Sequence, residues 1–477
     1  MNVFQNFVND QFLPLGDTRL LTVHNPATGA PCAQVSLASA EQARATVASA
    51  ARAQKSWGRL PGAARARWLH LLADILIAHR DAIGNVLARE SGKSLADACA
   101  ETLYAAELTH YQAEWGRRIE GDIIPSDNPG ETLLLQRVAI GVVACLIPFN
   151  YPVYTLMRKI APALIAGNTV VVRPSNNTPG SALELARAVK AAGLPAGVIN
   201  ILAMDHAVAE LVCTDARVGM MTLTGSVKAG RIMMGYAQAN IAKLSLELGG
   251  KTPVIVADDA DLDSATDGIV ASKTTHCGQV CTAAERVYAH RAVYPEVVRL
   301  LKQKMLARRY GDRAVDAECM GPLVSAPARD ALHAMVLRAV ADGALIETGG
   351  FVPEGPGHFY PPTLLTQVRQ DMEIVQQETF GPVLVVLPCD SMEEALALAN
   401  DHQFGLSCVL FTQRHGTVMQ FSGAIEAGEL YVNRMPADPY QGYHAGWKRS
   451  GLGGDDGKHG MLEFTQTRLV VLPSGSS

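Results

Sequence analysis

The sequence predicts an α/β protein with a doubly wound parallel sheet, a second α/β domain and a small β element. The main observation is a repeated alternation of apolar, β-rich runs with helical stretches, which starts near Gly141 with GVVACLIPF, TLMRKIAPALIAG and TVVVRP. A second alternating stretch starts with TPVIV after Gly250 and runs to about Tyr431. A chain of 477 residues is also too long for one compact core, which favours two or three domains.

The elements follow in chain order. Helices are predicted as far as about Trp115, and the first begins with a capping box formed by Ser39 and Gln42. The alternation then continues through LELARAVKAAG, VINIL, MMTLTG, IMMGYAQAN and KLSLELGG, so ligands are expected at the carboxyl ends of these strands. Two strand-like segments, GETLLLQRVAIG and TRLVVLP, belong to neither alternation and are expected to form exposed edges that pair between subunits. The terminal PSGSS is expected to be frayed.

Composition and charge exclude several classes of protein. A net charge of -5 and a pI near 6.2 provide no basic surface for nucleic acid. The most apolar stretch is about half the ~20 residues of a membrane-spanning helix, and the N-terminus lacks a signal-peptide pattern. The nine cysteines are scattered, and only Cys277 and Cys281 lie close together, so neither a disulfide framework nor a metal site is expected. We therefore expect a soluble, cytoplasmic protein without a nucleic-acid or membrane partner.

Three side chains with catalytic chemistry follow predicted elements. Cys281 comes after a predicted helix and would be a nucleophile if its site lowered the thiol pKa, although most free cysteines are buried and inert. Glu247 ends the strand in LELGGK, where a carboxylate is either a general base or a solvated charge. Asn150 follows the buried strand of LIPF, where its amide either donates to an oxyanion or stabilises a turn.

Two segments invite a phosphate-binding interpretation. In TGSVKAG, Gly225 and Ser226 lie between a strand and a helix N-terminus, whose free N–H groups and dipole suit a pyrophosphate, although ordinary tight turns look the same. In SGKS, which starts at Ser91, a phosphate loop would require a glycine at Leu87 and a preceding strand, and the sequence has neither. Only the first segment stays a candidate.

Six motifs occur in a family-specific order: PFNYP, RPSNNTP, TGSVKAG, LELGGK, GQVC and ETFGPV. Together they resemble the aldehyde dehydrogenase superfamily over nearly the whole chain, from FVNDQF to LVVLP. The resemblance implies that Cys281 attacks an aldehyde, that Asn150 holds the oxyanion, and that hydride transfer leaves a thioester. Water activated by Glu247 would then release the carboxylic acid.

The resemblance also implies the aldehyde dehydrogenase fold with three domains. A Rossmann-like cofactor-binding domain would comprise residues 1–117 and 139–246, with 440–457 returning to it. A catalytic α/β domain would comprise 247–439, and residues 118–138 and 458–477 would form an oligomerisation element. A homodimer or homotetramer is the assembly this implies.

The cofactor contacts implied by the resemblance are Pro148, Phe149, Arg173, Ser175, Asn176, Gly225, Ser226, Glu378 and Phe380. Most family members carry Lys-Pro-Ser-Glu where this chain has Arg-Pro-Ser-Asn, and the glutamate normally binds the adenosine ribose. Because Asn176 removes an anion that would repel a 2′-phosphate and Arg173 keeps a positive charge nearby, NADP becomes permissible. NAD is still the expected cofactor.

The segment YQGYHAGWKRSGLGGDDGKHG is similar to that of the bacterial lactaldehyde and glycolaldehyde dehydrogenases. In that branch Arg158 and His444 match positions that contact the polar end of the substrate, and Asp438 lies at another such position. Thr282 is also assigned to the substrate site, although Thr282 and Asp438-Pro439-Tyr440 differ from the residues expected in that branch. A short hydroxyaldehyde offers little apolar area, so hydrogen bonds must select it. Arg158 could instead be a helix-surface charge, and His444 could make a structural loop hydrogen bond.

Three alternative functions remain. A semialdehyde dehydrogenase could be hydrolytic or could resolve the thioester with coenzyme A, but the presence of Glu247 argues against the second form. A catalytically silent structural homologue would not need Cys281, Glu247 and Asn150 together. An esterase using the same thiol would not need Glu378 or the turn at Gly225.

Overall fold

The computed structural model of the protein describes residues 2–16 and 18–473, so all of PSGSS except Pro473 lies outside the described residues. The chain begins with five short strands that the sequence patterns do not predict: β1 (Asn2–Phe4), β2 (Phe7–Val8), β3 (Gln11–Phe12), β4 (Leu20–His24) and β5 (Pro31–Ser36). Strands this short show no recognisable alternation of apolar and polar residues.

Three helices follow, as predicted: α1 (Ala40–Trp57), α2 (Gly62–Ser91) and α3 (Leu95–Ala113). The capping box at the start of α1 is confirmed, because the Ser39 hydroxyl accepts from Gln42 N–H while the Gln42 side chain accepts from Ser39 N–H. Gly92, with φ of 73°, ends α2, and Ser94 caps α3. SGKS therefore joins two helices and does not follow a strand.

The predicted alternation is present in the middle of the chain. After a 3-10 turn (Glu114–Arg117), its elements are β6 (Asp122–Pro125), β7 (Glu131–Ala139), β8 (Val142–Leu146), α4 (Pro152–Ile165), β9 (Thr169–Arg173), α5 (Pro179–Ala192), β10 (Ile199–Ile201), α6 (His206–Cys213), β11 (Val218–Thr224), α7 (Val227–Ala237) and β12 (Lys243–Glu247).

A second alternating stretch comprises β13 (Pro253–Val256), α8 (Leu262–Thr274), a 3-10 turn (Thr275–Gly278), β14 (Arg286–His290), α9 (Tyr294–Leu306), α10 (Ala326–Ala341), β15 (Leu345–Thr348), β16 (Thr363–Thr366), α11 (Glu373–Gln376), β17 (Val383–Cys389), α12 (Met392–Asn400), β18 (Phe404–Gly405), β19 (Ser407–Phe411), α13 (His415–Ala424) and β20 (Glu429–Val432). The chain closes with β21 (Trp447–Lys448), β22 (Gly451–Leu452), α14 (Gly457–Glu463) and β23 (Thr465–Pro473).

The largest sheet has eight strands in the order β22, β12, β11, β8, β9, β10, β2 and β3. Strands β8 to β12 run parallel, and the edge strands β2, β3 and β22 are antiparallel to their neighbours. Strand β8 and its crossover helix α4 are buried along their whole length, which explains their continuous apolar runs. The carboxyl ends of these strands share one edge, so Asn150, Ser175, Gly225 and Glu247 are carried to the same side.

A second sheet of seven strands has the order β15, β16, β17, β14, β13, β19 and β20. All neighbouring strands in it are parallel except β15 and β16, which are antiparallel. Its neighbouring strands β13, β14 and β17 begin just after Lys251, Glu285 and Phe380. Two small sheets, β1-β5-β4 and β18-β21, complete these two layers.

The two strand-like segments outside the alternation pair with each other. Strand β23 lies antiparallel to β7 from Thr465 opposite Ala139 to Pro473 opposite Glu131, and β6 covers the other side of β7. The resulting three-stranded sheet exposes large apolar side chains, among them Ile123 and Leu469. No helix in the described part of the chain is long and apolar enough to cross a membrane.

Candidate active site

A cavity of about 600 Å³ brings together every predicted catalytic and substrate-binding residue. Its walls include Asn150, Arg158, Glu247, Cys281, Thr282, Asp438 and His444. These residues come from the end of β8, helix α4, the end of β12, the loop before β14 and the loop after β20. The sequence therefore predicts a set of residues that the fold places around one space.

Cys281 is only partly buried, whereas Cys277 is fully buried. Burial raises the pKa of the Cys281 thiol, and the neighbouring His444 offsets only part of that rise. For Cys277, burial raises the thiol pKa far above its ordinary value. Its exposure and its contact with His444 therefore distinguish Cys281 from Cys277, although the pKa of its thiol is raised and not lowered as the sequence argument requires.

The loop that carries Cys281 is tightly held. His276, Cys277 and Gly278 have φ values of 46°, 58° and 70°, a left-handed turn that is costly for the two non-glycine residues. On the other side, a Cβ atom on Gly250 would lie 2.5 Å from the Cys281 carbonyl oxygen. The glycines of LELGGK therefore allow the backbone to approach the Cys281 loop.

Asn150 points its amide at this loop. Its Nδ2 donates to the carbonyl oxygen of Gln279 at 2.9 Å, and the side chain is buried. An amide nitrogen has two hydrogens, so one donor is left for another acceptor. The helix after Asn150 is held by Glu101, whose Oε1 accepts from the N–H groups of Val153 and Tyr154.

Glu247 is almost completely buried, and neither of its carboxyl oxygens has a hydrogen-bond partner among the described residues. Burial raises its pKa to about 8, although nearby His444 lowers it. The Oε2 atom lies 3.5 Å from Nε2 of His444. A carboxyl group in this state can exchange a proton near neutral pH.

His444 lies between carboxylates. Its Nδ1 is 2.9 Å from Oε1 of Glu429 and 3.7 Å from Oδ2 of Asp438. Burial and Arg158 lower the imidazole pKa, but Asp438 and Glu429 outweigh them and raise it well above its ordinary value. We interpret His444 as an imidazolium, which favours a thiolate at Cys281.

Arg158 is buried, so the interpretation as a helix-surface charge is wrong. Its guanidinium pairs with Asp456 and lies 3.3 Å from Asp438. Next to it, Lys159 lies 2.7 Å from Oδ2 of Asp455. The sequence patterns do not predict the partners Asp455 and Asp456, although two adjacent aspartates in the glycine-rich GLGGDDG were a visible signal. Asp456 stands 298 residues from Arg158, and no periodicity connects such distant positions.

In the described part of the chain, one group of side chains has metal-ligand atoms within 4.8 Å of one another: Glu429, Asp438 and His444. Because His444 is hydrogen-bonded to Glu429 and its pKa is raised, we interpret this group as an imidazolium between two carboxylates. A protonated imidazole is a hydrogen-bond donor and not a metal ligand.

The predicted cofactor residues fit a dinucleotide. Asn176 Oδ1 and Arg173 Nε are buried without a hydrogen-bond partner among the described residues, so both atoms are free to bond to a cofactor. Ser226 caps α7 after the turn at Gly225, and a cavity of about 550 Å³ opens beside the first turn of that helix. Ser175 lies in the same turn after β9 as Asn176.

The other cofactor residues lie close to the catalytic loop. The rings of Phe149 and Phe380 pack edge to face with their centroids 5.9 Å apart, and Pro148 directly precedes Phe149. Glu378 accepts from the N–H of Gly250 at 3.0 Å, and burial raises its pKa to about 8. The predicted cofactor residues thus lie at the strand ends of a doubly wound sheet, beside a cavity that holds a thiol, an amide and a carboxyl group. This combination defines a dinucleotide-dependent dehydrogenase.

Comparisons with known proteins agree with this class. A sequence profile described as the aldehyde dehydrogenase family matches residues 15–470. Lactaldehyde dehydrogenase of Escherichia coli strain K12 is 42% identical over 470 residues, which cover 98% of this chain and 98% of that protein. A 3,6-anhydro-alpha-L-galactose dehydrogenase of Streptomyces coelicolor is 39% identical over 457 residues, which cover 95% of this chain and 93% of that protein. A crystal structure of Escherichia coli lactaldehyde dehydrogenase matches with a TM-score of 0.97 and 41% identity, over 99% of this chain and 100% of that one.

The chain therefore belongs to the aldehyde dehydrogenase family, and the resemblance inferred from its six motifs is confirmed. It is an NAD(P)-dependent aldehyde dehydrogenase with the fold of that family.

Proposed function

We propose that this enzyme oxidises a small, uncharged hydroxyaldehyde of the lactaldehyde or glycolaldehyde type, with Cys281 as its nucleophile. The observation that carries this proposal is the charge balance of the cavity wall. Arg158 and His444 line the cavity with Asp438, and together with Lys159 behind them they are matched by the carboxyl groups of Glu429, Asp438, Asp455 and Asp456. The other cations that line the cavity, Lys93, Arg308 and Arg313, lie outside this cluster. No cation of this cluster is left over to bind a carboxylate on the substrate.

The first step is attack of the Cys281 thiolate on the aldehyde carbon. The imidazolium of His444 stabilises the thiolate, and ionised Glu247 in the same cavity takes up the thiol proton. The oxyanion of the thiohemiacetal accepts from the second N–H of the Asn150 amide and from the Cys281 backbone N–H. Tethering of that amide to the Gln279 carbonyl orients it before the substrate arrives.

Collapse of the oxyanion expels hydride and leaves a thioester on Cys281. The nicotinamide, when bound, supplies the hydride acceptor. Glu247 releases the thiol proton to solvent and, ionised again, accepts a proton from water, which attacks the thioester and releases the acid. An almost fully buried carboxyl group suits this role, because burial raises its pKa to about 8 and lets it take up a proton near neutral pH.

The residues proposed to hold the cofactor are Pro148, Phe149, Arg173, Ser175, Asn176, Gly225, Ser226, Glu378 and Phe380. NAD is the proposed cofactor, and NADP is permissible because Asn176 adds no negative charge beside the adenosine ribose. The unpaired donor of Arg173 provides a partner for either the ribose or a 2′-phosphate.

The substrate hydroxyl is proposed to bind among Arg158, Thr282, Asp438 and His444, all of which line the cavity. Paired charges can still exchange hydrogen bonds with a neutral hydroxyl group. A second carboxylate, as in succinate semialdehyde, would instead be repelled by the surrounding acids. This separates the proposed substrate from the semialdehydes.

The test measures reduced-nicotinamide absorbance with NAD and with NADP against lactaldehyde, glycolaldehyde, succinate semialdehyde, acetaldehyde and benzaldehyde. We expect the highest kcat/KM for the two hydroxyaldehydes. Preferential turnover of succinate semialdehyde would overturn the proposed substrate class. The ratio of the kcat/KM values with NAD and with NADP decides whether Asn176 admits a 2′-phosphate.

We further propose a homodimer or homotetramer assembled through the sheet of β6, β7 and β23. Ile123 in β6 is 79% exposed and Leu469 in β23 is 55% exposed in the single chain, so both edge strands of this sheet present large apolar side chains to solvent. Association of two copies would bury these side chains.

A further inference from the structure

A cluster of buried charges lies behind the active site, and the proposed mechanism does not use it. Lys251 stands before β13, Lys273 lies in α8 and Glu285 stands before β14. The lysine side chains are completely buried, and that of Glu285 is 2% exposed. Their Nζ atoms lie 2.7 Å and 2.6 Å from the two oxygens of Glu285.

Such a cluster is costly to bury, because removing charges from water opposes folding even when they are paired. Burial alone would raise the pKa of Glu285, but the two lysines lower it to about 2, so this carboxyl group is ionised. Burial lowers the pKa of Lys251 to about 8. Replacing a buried ion pair by apolar residues of similar volume is often neutral or stabilising, so stability alone does not explain this cluster.

The cluster is joined to the proposed cofactor site through Thr379. The backbone N–H of Thr379 donates to Oε2 of Glu285 at 3.2 Å, and its hydroxyl donates to the same atom at 2.6 Å. Nζ of Lys273 lies 3.3 Å from that hydroxyl oxygen. Glu285 and Lys273 therefore hold both the backbone and the side chain of a residue between Glu378 and Phe380.

The turn that Thr379 belongs to is strained. Phe380 has a φ of 44°, in the left-handed region that a bulky side chain disfavours. On the opposite side, Glu378 accepts from Gly250 N–H, and a Cβ atom on Gly249 would lie 2.2 Å from Oε2 of Glu378. A strained turn persists only where its surroundings fix it from several sides.

We propose that Glu285, anchored by Lys251 and Lys273, is a positioning residue that holds the Glu378–Phe380 turn in its cofactor-binding conformation through Thr379. This role rests on the proposed function, because that function assigns Glu378 and Phe380 to the cofactor. Glu285 touches neither substrate nor cofactor. Loosening its contact with Thr379 lets the strained turn relax, which weakens cofactor binding, while the thiol of Cys281 keeps its surroundings.

The experiment compares wild-type enzyme with Thr379→Val, which removes the hydroxyl and keeps the shape of the side chain. Titration with NADH and NADPH, followed by nicotinamide fluorescence, gives the dissociation constant of each cofactor without any turnover. We expect a rise of about tenfold for the cofactor that the wild type prefers, because a hydrogen bond to a charged group is lost. The rate of Cys281 alkylation by iodoacetamide is expected to stay within about twofold of wild type, because none of the contacts described for the thiol involves Thr379.

The matched control is Thr46→Val, in which a buried hydroxyl that donates to the Gln42 carbonyl in α1 is removed far from the turn. It is expected to change neither quantity. Glu285→Gln provides a second test in the same assays, with thermal unfolding used to confirm that it folds, and should weaken cofactor binding at least as much.

An unchanged cofactor dissociation constant in Thr379→Val would overturn the positioning role. So would alkylation slowed by the same factor, because the cluster would then support the whole site without favouring the turn. The substrate preference of the wild-type enzyme shows whether a failure concerns the positioning role or the proposed substrate class. If hydroxyaldehydes are not preferred while Thr379→Val still weakens NADH binding, only the substrate class fails.

Discussion

At the scale of single residues, Glu247 has the most informative titration. Its pKa is raised to about 8, so the group is mainly protonated below that pH and available as a base above it. Thioester hydrolysis should therefore accelerate as the pH rises through about 8. Stopped-flow kinetics from pH 6 to pH 9 separate this step from the preceding burst of reduced nicotinamide.

Glu247→Gln removes the base and should lower the rate of hydrolysis by about 100-fold, which is at the low end for a general base. The rise with pH should disappear in this variant. A rise that persists in Glu247→Gln would assign the base to another group, for which His444 is a poor candidate because its pKa is raised well above its ordinary value.

Asp438 contributes to the charge balance of the proposed substrate site. Asp438→Asn would leave Arg158 with less compensation, because Oδ2 of Asp438 lies 3.3 Å from the guanidinium. We expect kcat/KM for lactaldehyde to fall about tenfold with loss of a charged hydrogen bond, and the relative rate with succinate semialdehyde to rise. An unchanged ratio of the two substrates would show that charge does not select the substrate.

At the scale of secondary-structure elements, the start of α4 depends on a buried ion pair. Glu101 accepts from two N–H groups at the helix N-terminus and lies 2.5 Å from Nζ of Lys93. Glu101→Gln leaves Lys93 buried without its counter-charge, which should lower the free energy of unfolding by about 3 kcal/mol.

Urea unfolding measures this loss of stability. The matched control is Glu107→Gln, because Glu107 is exposed and lies in α3, the helix that also contains Glu101. Because Asn150 immediately precedes α4, kcat should fall as well. A Glu101→Gln enzyme as stable as the control would contradict the importance of this cap.

The sequence predicts the elements with strong local signals. The capping box at Ser39 and the buried runs of β8 and α4 are of this kind, and so is Glu247 at the end of its strand. Short strands such as β2 are not predicted, because two residues cannot show an alternation of apolar and polar side chains. The pairing of Arg158 with Asp456 is not predictable from the sequence, because it depends on which loops the fold brings together.

At the scale of the whole molecule, the three-stranded sheet is expected to join subunits. Ile123→Lys would place a charge in that contact, so we expect wild-type dimers or tetramers and a monomeric variant in size-exclusion chromatography with light scattering. Ile241→Lys is the control, since Ile241 is 92% exposed and lies between α7 and β12, outside this sheet. A monomeric wild type would contradict the assembly.

The whole account depends on covalent catalysis by Cys281, which the matched variants Cys281→Ala and Cys277→Ala test most directly. Aldehyde-dependent formation of reduced nicotinamide is measured in both, with cofactor binding as the check on folding. We predict that Cys281→Ala binds the cofactor and produces no reduced nicotinamide, while Cys277→Ala retains activity. Turnover by Cys281→Ala, or loss of activity in Cys277→Ala alone, would contradict the mechanism.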